Sequence, residues 1–389
     1  MSNLTLKQDI KLRLERLQKV MQAMQIDACI LSTEVNVFYC TGVVYNGYFY
    51  LPAEGEPIHF VKRPDVKLNN VEYIHKPELI IEKLAERGLK APQKVLLEVD
   101  VLSFSTILRM KSALNTDQIE NASYLLRRLR AEKTDYEVEQ VRACARKHEA
   151  VYGHVKSLYR KGMTDVELQV EIERVMRLHG SIGIFRSYGE NMDIHMGSLL
   201  VGDNAGAASP FDFALGGAGV NPILPLGACG IEIKEGQTIM VDMAGNYSPW
   251  MTDMTRVFSL GKTSDLAYKA HQTSIDIQNK LMEVSKIGTS CAEMYNIALE
   301  MVKIENLEPY FMGTDLQAKF IGHGVGLEIN EMPVLTPRSK EVLTKNTIFA
   351  IEPKFVIPGV GAVGVENTFL VTDAGLEKIT QFEEEIIEL

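Results

Sequence analysis

Apolar positions in the first third of the chain switch between helical and strand spacing. From Leu12 to Met24 the hydrophobic residues share one face among charged neighbours, the pattern of an amphipathic helix. Ala28-Cys29-Ile30-Leu31 reads as a short buried strand, and Phe49-Tyr50-Leu51 repeats the signal. A second helix, roughly Pro77 to Arg87, precedes a strand over Lys94-Val95-Leu96-Leu97-Glu98. No Gly-rich phosphate loop follows either strand, and no ionisable cluster stands out. Residues from about 8 to 130 therefore read as a small α/β unit, a scaffold or assembly surface. The polar stretch 126–134 leads into a long helix, which puts a boundary near 130.

Beyond that boundary the pattern occurs twice. A helix from about Asp135 to Tyr159 is followed by Gly162 and by Thr164-Asp165-Val166-Glu167, a capping box that opens a second helix. A helix from about Ser264 to Val284 is followed by Gly288 and by Ser290-Cys291-Ala292-Glu293, the same device at the same offset. The strands echo one another as well. Thr238 to Asp242 resembles Thr347 to Glu352, and Asp253-Met254-Thr255 resembles Glu366-Asn367-Thr368. Turn-rich stretches, Gly245 to Pro249 and Pro358 to Gly361, separate the members of each pair. A helix pair followed by a carboxylate-bearing hairpin, in the same order twice, indicates an internal duplication with a shared site between the halves.

The acidic residues are where this pattern turns into chemistry. Asp and Glu are depleted in strands and are seldom buried without a partner. Here Ile239-Met240-Val241 runs into Asp242, and Phe349-Ala350-Ile351 runs into Glu352. One such residue reads most simply as a solvent-facing strand position. Asp242, Asp253, Glu352 and Glu366, symmetrically placed, read instead as a cluster that needs a cation to offset its repulsion. His323, between Gly322 and Gly324, would alone be a turn residue; with the carboxylates it becomes a fifth ligand. An oxygen-rich set with one nitrogen suits Mn²⁺, with Co²⁺ or Zn²⁺ as alternatives. Bridging carboxylates can hold two such ions about 3.5–4 Å apart.

Composition narrows the class. A chain of 389 residues is long for one core and points to two domains. The net charge of −10 argues against nucleic acid or an anionic membrane as partner. The charged N-terminal stretch lacks the apolar core of a signal peptide, and no run approaches the roughly 20 apolar residues of a spanning helix. Cys29, Cys40, Cys144, Cys229 and Cys291 are scattered and form no short motif, as expected of reduced thiols in a cytoplasmic protein.

Val241-Asp242, Thr252-Asp253-Met254-Thr255-Arg256, Gly322-His323-Gly324-Val325-Gly326-Leu327, Ile351-Glu352-Pro353 and Val365-Glu366-Asn367 together resemble the pita-bread metallopeptidases. That family holds Xaa-Pro aminopeptidases, prolidases, methionine aminopeptidases and the metal-free creatinases. The resemblance covers most of 130–389, and residues 1–130 are similar to the domain preceding the catalytic one in the Xaa-Pro branch and in creatinase. It implies an α+β fold: a pita-bread domain over 131–389, with a duplicated helix pair and a curved antiparallel sheet, after a creatinase-type α/β domain over 1–130. It implies Asp253 and Glu366 bridging two metal ions, with Asp242 completing one position and His323 with Glu352 the other. A hydroxide between the ions would attack the scissile carbonyl, with Glu352 as general base. The activity implied is that of a metal-dependent exopeptidase or dipeptidase on a small peptide, in a homodimer. A different metal-dependent amide hydrolase, a lyase, or a scaffold without catalysis are the alternatives. A metal-free creatinase-like reaction is disfavoured by the intact ligand set.

Three positions depart from the family pattern: Leu226 and Asn330 stand where the family has histidines, and Gly364 where it has arginine. In the family these groups contact the substrate backbone and the tetrahedral intermediate. Lys354 and His195 are candidate catalytic replacements, although each is individually read more simply as an ordinary strand or surface residue.

Overall fold

The computed structural model describes residues 4–189, 196–211 and 215–389, and the chain divides between Arg130 and Ala131 into two compact units. Among the described residues, no helix is long and apolar enough to cross a membrane.

The first unit opens with α1 (Leu6–Ala23), which starts before the apolar stripe because Thr5 and Gln8 form a reciprocal capping box. Asp9, Arg13, Leu17 and Met21 make its buried face. The Asp9–Arg13 ion pair sits inside that stripe, and Arg13 also donates to the Tyr39 carbonyl at 2.9 Å. There follow β1 (Ala28–Leu31), α2 (Glu34–Thr41), β2 (Asn46–Pro52), β3 (Ile58–Arg63), β4 (Val71–Tyr73), α3 (Leu79–Glu86), β5 (Lys94–Leu97), α4 (Phe104–Leu114), β6 (Gln118–Asn121) and α5 (Ser123–Ala131). The strands form one mixed sheet in the order β4-β3-β2-β1-β5-β6. Periodicity alone missed α2, β3, β4, α4 and β6. The buried Glu98 carboxylate accepts from Ser32 N, Thr33 N and Asn36 Nδ2 at 2.7–3.0 Å, tying the start of α2 to the end of β5.

The second unit contains α6 (Asp135–Leu158), α7 (Asp165–Leu178), β7 (Gly197–Val201), β8 (Thr238–Gly245) and β9 (Thr252–Ser259). Its second half runs through α8 (Asp265–Val284), α9 (Cys291–Ile304), β10 (His323–Gly324), β11 (Glu331–Val334), β12 (Ile348–Ile351), β13 (Lys354–Ile357), β14 (Gly361–Gly364), β15 (Asn367–Thr372), β16 (Gly375–Lys378) and β17 (Ile387–Glu388). The duplication extends to individual hydrogen bonds. Thr164 bridges Glu232 in the first half, and Ser290 bridges Val342 in the second. Asp165 N donates to Ile231 O and Ile233 N to Met163 O; Cys291 N donates to Glu341 O and Leu343 N to Thr289 O.

The carboxylate hairpins differ in one respect. β8 and β9 are continuous, but the second hairpin is interrupted at Glu352-Pro353, since proline cannot donate to the ladder. Register survives the break: Ile351 pairs with Asn367 and Lys354 with Gly364, so Glu352 and Glu366 fall opposite each other. The break is held by α8. Gln278 Nε2 donates to the carbonyls of Ile351 (2.7 Å) and Val365 (3.0 Å), and Ser274 Oγ donates to Pro353 O (2.5 Å). The halves join where Thr255 of β9 and Glu366 exchange backbone hydrogen bonds at 3.3 Å. Buried Arg256 pins that seam, donating to the Glu366 carbonyl and to Asn367 Oδ1.

The repeated capping device holds in one half only. Thr164 Oγ1 accepts from Glu167 N at 3.2 Å, whereas Ser290 makes no side-chain cap bond. Thr164→Ala should therefore cost about 1 kcal/mol, and Ser290→Ala less than about half that. Urea-unfolding midpoints of the two variants, compared with the parent chain, check the asymmetry.

Candidate metal centre

Strand alternation assembles the site. On β8–β9, Asp242 lies opposite Thr255 and Ala244 opposite Asp253, which puts both aspartates and Thr255 on one face. On the broken hairpin, Glu352 and Lys354 are two residues apart, as are Gly364 and Glu366, and the same rule keeps all four on one face. His323 comes from β10, which is wedged between β11 and β12. Its flanking glycines are required there: a Cβ on Gly322 would stand 2.1 Å from Ala350 O, and one on Gly324 would stand 2.0 Å from Met332 O.

All five expected ligands meet. His323 Nδ1 lies 3.1 Å from the Gly324 carbonyl, an arrangement that leaves Nε2 as the inward atom. Nε2 faces Glu352 Oε1 at 3.3 Å, Asp253 Oδ2 at 3.7 Å and Glu366 Oε1 at 3.9 Å. Lys354, a candidate only by its neighbourhood to Glu352, is fully buried inside the cluster. Its ammonium donates to Asp242 Oδ2 (2.8 Å), Glu352 Oε2 (2.8 Å) and Glu366 Oε2 (2.9 Å). Thr255 Oγ1 adds a bond to Glu366 Oε2 at 2.8 Å. His195 lies outside the described residues.

Electrostatics follow from this packing. Burial, reinforced by Glu366 and Asp242, holds the Asp253 carboxyl well above the usual carboxylate range. Burial, then Glu352, pushes Glu366 up to about 7. At Glu352 burial acts in the same direction but is overcome by Lys354 and His323, which pull the carboxyl down to about 2. For the two cations, burial opposes charge and loses. His323 rises to about 10 beside Glu352, and Lys354 rises further still beside Asp242 and Glu352.

Part of the cluster fits a divalent ion. Asp253, His323 and Glu366 each present one ligand atom, all within 4.8 Å of one another. Glu366 Oε1 is buried with no hydrogen-bond partner among the described residues, which is costly unless something positive meets it. Of the groups that would hold a second ion, Asp242 and the far oxygen of Glu366 already accept from Lys354, which also binds Glu352.

The departures have structural reasons. Gly364 could not carry the family's arginine: its φ is +133°, and a Cβ would stand 2.6 Å from Pro353 O and 3.0 Å from Lys354 Cα. Lys354 therefore does not enter a cleft left by that arginine; it occupies the carboxylate nest. Asn330 exchanges hydrogen bonds with the backbone of Tyr188, N to Oδ1 at 2.7 Å and Nδ2 to O at 2.8 Å. Leu226 is half-buried in the stretch before β8. Sequence reasoning missed Thr255, and it missed the α8 stripe of His271, Ser274 and Gln278, a polar line at helical spacing that was there to be read.

Comparison with known proteins places these features. Residues 139–373 match the model of metallopeptidase family M24, and residues 13–131 match the creatinase/prolidase N-terminal domain. The Xaa-Pro dipeptidase of Pyrococcus furiosus is 25% identical over 97% of this chain and 100% of its own length. An X-Pro aminopeptidase structure from Thermotoga maritima superposes with a TM-score of 0.79 at 19% identity, covering 97% of this chain and 99% of that one. The prolidase structure of Pyrococcus horikoshii gives 0.77 at 20% identity, covering 96% and 99%.

Without an ion, the cluster sets a pH dependence of stability. Glu366 and His323 both have folded pKa values above their unfolded ones, so each contributes stability present at low pH and lost as pH rises. For Glu366 the loss runs from its ordinary value of 4.5 to about 7, and for His323 from 6.5 to about 10. Glu352, held low, acts the other way, but only below 4.5. His59, His148 and His271, held low by burial, act the other way below about 6.5, so the melting temperature of the chelator-treated chain should fall between pH 7 and pH 9, and saturating Mn²⁺ should flatten that fall; differential scanning calorimetry across the range measures both.

Proposed function

The chain belongs to metallopeptidase family M24, and from that premise we propose that it is a metal-dependent exopeptidase acting on the N-terminal bond of small peptides, Xaa-Pro dipeptides being the first substrates to test. The observation that carries this reading is the nest of Asp253, His323 and Glu366 with its orphaned inward oxygen. A divalent ion held there would polarise a carbonyl and acidify water. The oxygen-rich ligand set favours Mn²⁺.

The protein's own groups then have distinct tasks. Asp253, His323 and Glu366 would hold the ion. The Gly324 carbonyl fixes the His323 tautomer. Glu352 Oε1, beside Nε2 and not bonded to Lys354, is placed to take a proton from the attacking water. The Lys354 ammonium holds the other oxygen of Glu352 and fixes that side chain's orientation. The thiols, all free among the described residues, accord with a cytoplasmic location, and the creatinase-type N-terminal domain supports a homodimer.

A second reading, hydrolysis of a non-peptide amide in the same cleft, is favoured by Asn330 being bound to Tyr188 and by the steric exclusion of any side chain at Gly364. A panel of Xaa-Pro and Xaa-Ala dipeptides assayed with added Mn²⁺, Co²⁺ or Zn²⁺ separates the two. Hydrolysis that is abolished by chelation and restored by metal is expected, whereas inertness toward every peptide would leave the amide reading. Asp253→Asn and His323→Ala should each lower kcat/KM at least about 100-fold, with circular dichroism showing that the fold persists.

A further inference from the structure

Resting on the metal-dependent reading, we propose that this chain holds one divalent ion rather than two, and that the Lys354 ammonium occupies the second cation position. An ammonium has three donors, and here they are spent on three carboxylates from three places in the duplicated sheet: Asp242 on β8, Glu352 at the Pro353 break and Glu366 at the seam. The neighbouring nest consists of Asp253, His323 and Glu366. Glu366 belongs to both, and it divides its oxygens: Oε2 accepts from Lys354 and Thr255, and Oε1 faces His323. It therefore bridges an ammonium and an ion, where the family resemblance has it bridge two ions.

Lys354 is built into this place. Its backbone carbonyl accepts from Met312 N at 2.8 Å, and its strand pairs with β14 directly opposite Gly364. A second ion could enter only if the ammonium left Asp242, Glu352 and Glu366, stranding a buried charge without its partners. The same three carboxylate oxygens cannot serve both cations. The ligand count tells the two arrangements apart: with an ammonium present, Asp242 is a counter-ion of Lys354 and not a metal ligand.

The test is metal stoichiometry. Full-length chain is stripped with chelator, reconstituted with excess Mn²⁺, desalted and assayed by inductively coupled plasma mass spectrometry and electron paramagnetic resonance. One manganese per chain with an uncoupled six-line signal is expected. Asp242→Asn should still hold one, and Lys354→Met should gain a second, with an exchange-coupled signal. Two ions in the unaltered chain would overturn the proposal while leaving the peptidase reading standing. No ion at all would remove the metal reading and the proposal with it. Loss of the ion in Asp242→Asn, or a folded Lys354→Met chain that still binds one, would show that lysine does not exclude the second ion; should that variant fail to fold, the count in the unaltered chain decides.

Discussion

Four carboxylates converge on one buried point, and they can stay ionised there together only if positive charge meets them. Buried anions in contact repel strongly, and desolvation adds to the cost of each. Burial pushes the proton affinities of Asp253 and Glu366 up, reinforced by Glu366 at Asp253 and by Glu352 at Glu366. Lys354 relieves part of this repulsion with a covalently attached cation that touches three of the four acids. What it does not reach is Asp253 and the inner oxygen of Glu366, the side where His323 points. The location of the unmet charge is thus set by the reach of one side chain.

Everything around this point keeps backbone polarity satisfied while the strand is broken. Pro353 removes a donor from the middle of a buried sheet, an arrangement usually confined to edges and bulges. The polar stripe of α8 replaces the missing partners, with Gln278 and Ser274 taking the carbonyls on both sides of the break and His271 Nδ1 accepting from Gly364 N at 3.1 Å. In the first half the corresponding helix α6 uses Tyr152, whose hydroxyl reaches the Val241 carbonyl and accepts from Met243 N, and the shared His148–Thr252 bond. Two helices at equivalent positions of the duplication thus hold two carboxylate strands with different chemistry. Only the half that carries Pro353 needs the wider set of donors.

Legibility tracked how local each cause was. The five candidate positions could be read because each interrupts an apolar strand or sits between glycines, and because the second half repeats the first. The duplicated helix pairs showed through their periodicity, and the motifs around the acidic positions carried the resemblance to the metallopeptidases. Small elements of the first unit, such as β4 and β6, could not be read, because three or four residues give too little periodicity to separate strand from turn. The interior position of Lys354 could have been reached by simple alternation, since a residue two beyond Glu352 on an extended chain shares its face. The pairing of Asn330 and the crowding at Gly364 depend on the Tyr188 backbone and the Pro353 carbonyl, contacts that no local periodicity reports.

A fixed cation and an exchangeable one are not equivalent in what they leave behind. An ammonium contributes a single positive charge and three hydrogen-bond donors, but it offers no vacant orbital for water, carbonyl or amine. Lewis acidity must then come from the nest formed by Asp253, His323 and Glu366, and whatever Lys354 does for the reaction it does by holding Glu352 and Glu366 in place. The charge balance also shifts. Four acidic side chains opposed by one ammonium and one divalent ion, with His323 neutral as a ligand, retain one negative charge in a buried cleft. A surplus of that sign is complementary to a free α-ammonium, the group that distinguishes the end of a peptide from its middle. The lysine that removes one metal position would by the same arithmetic leave the cleft electrostatically suited to an exopeptidase's substrate.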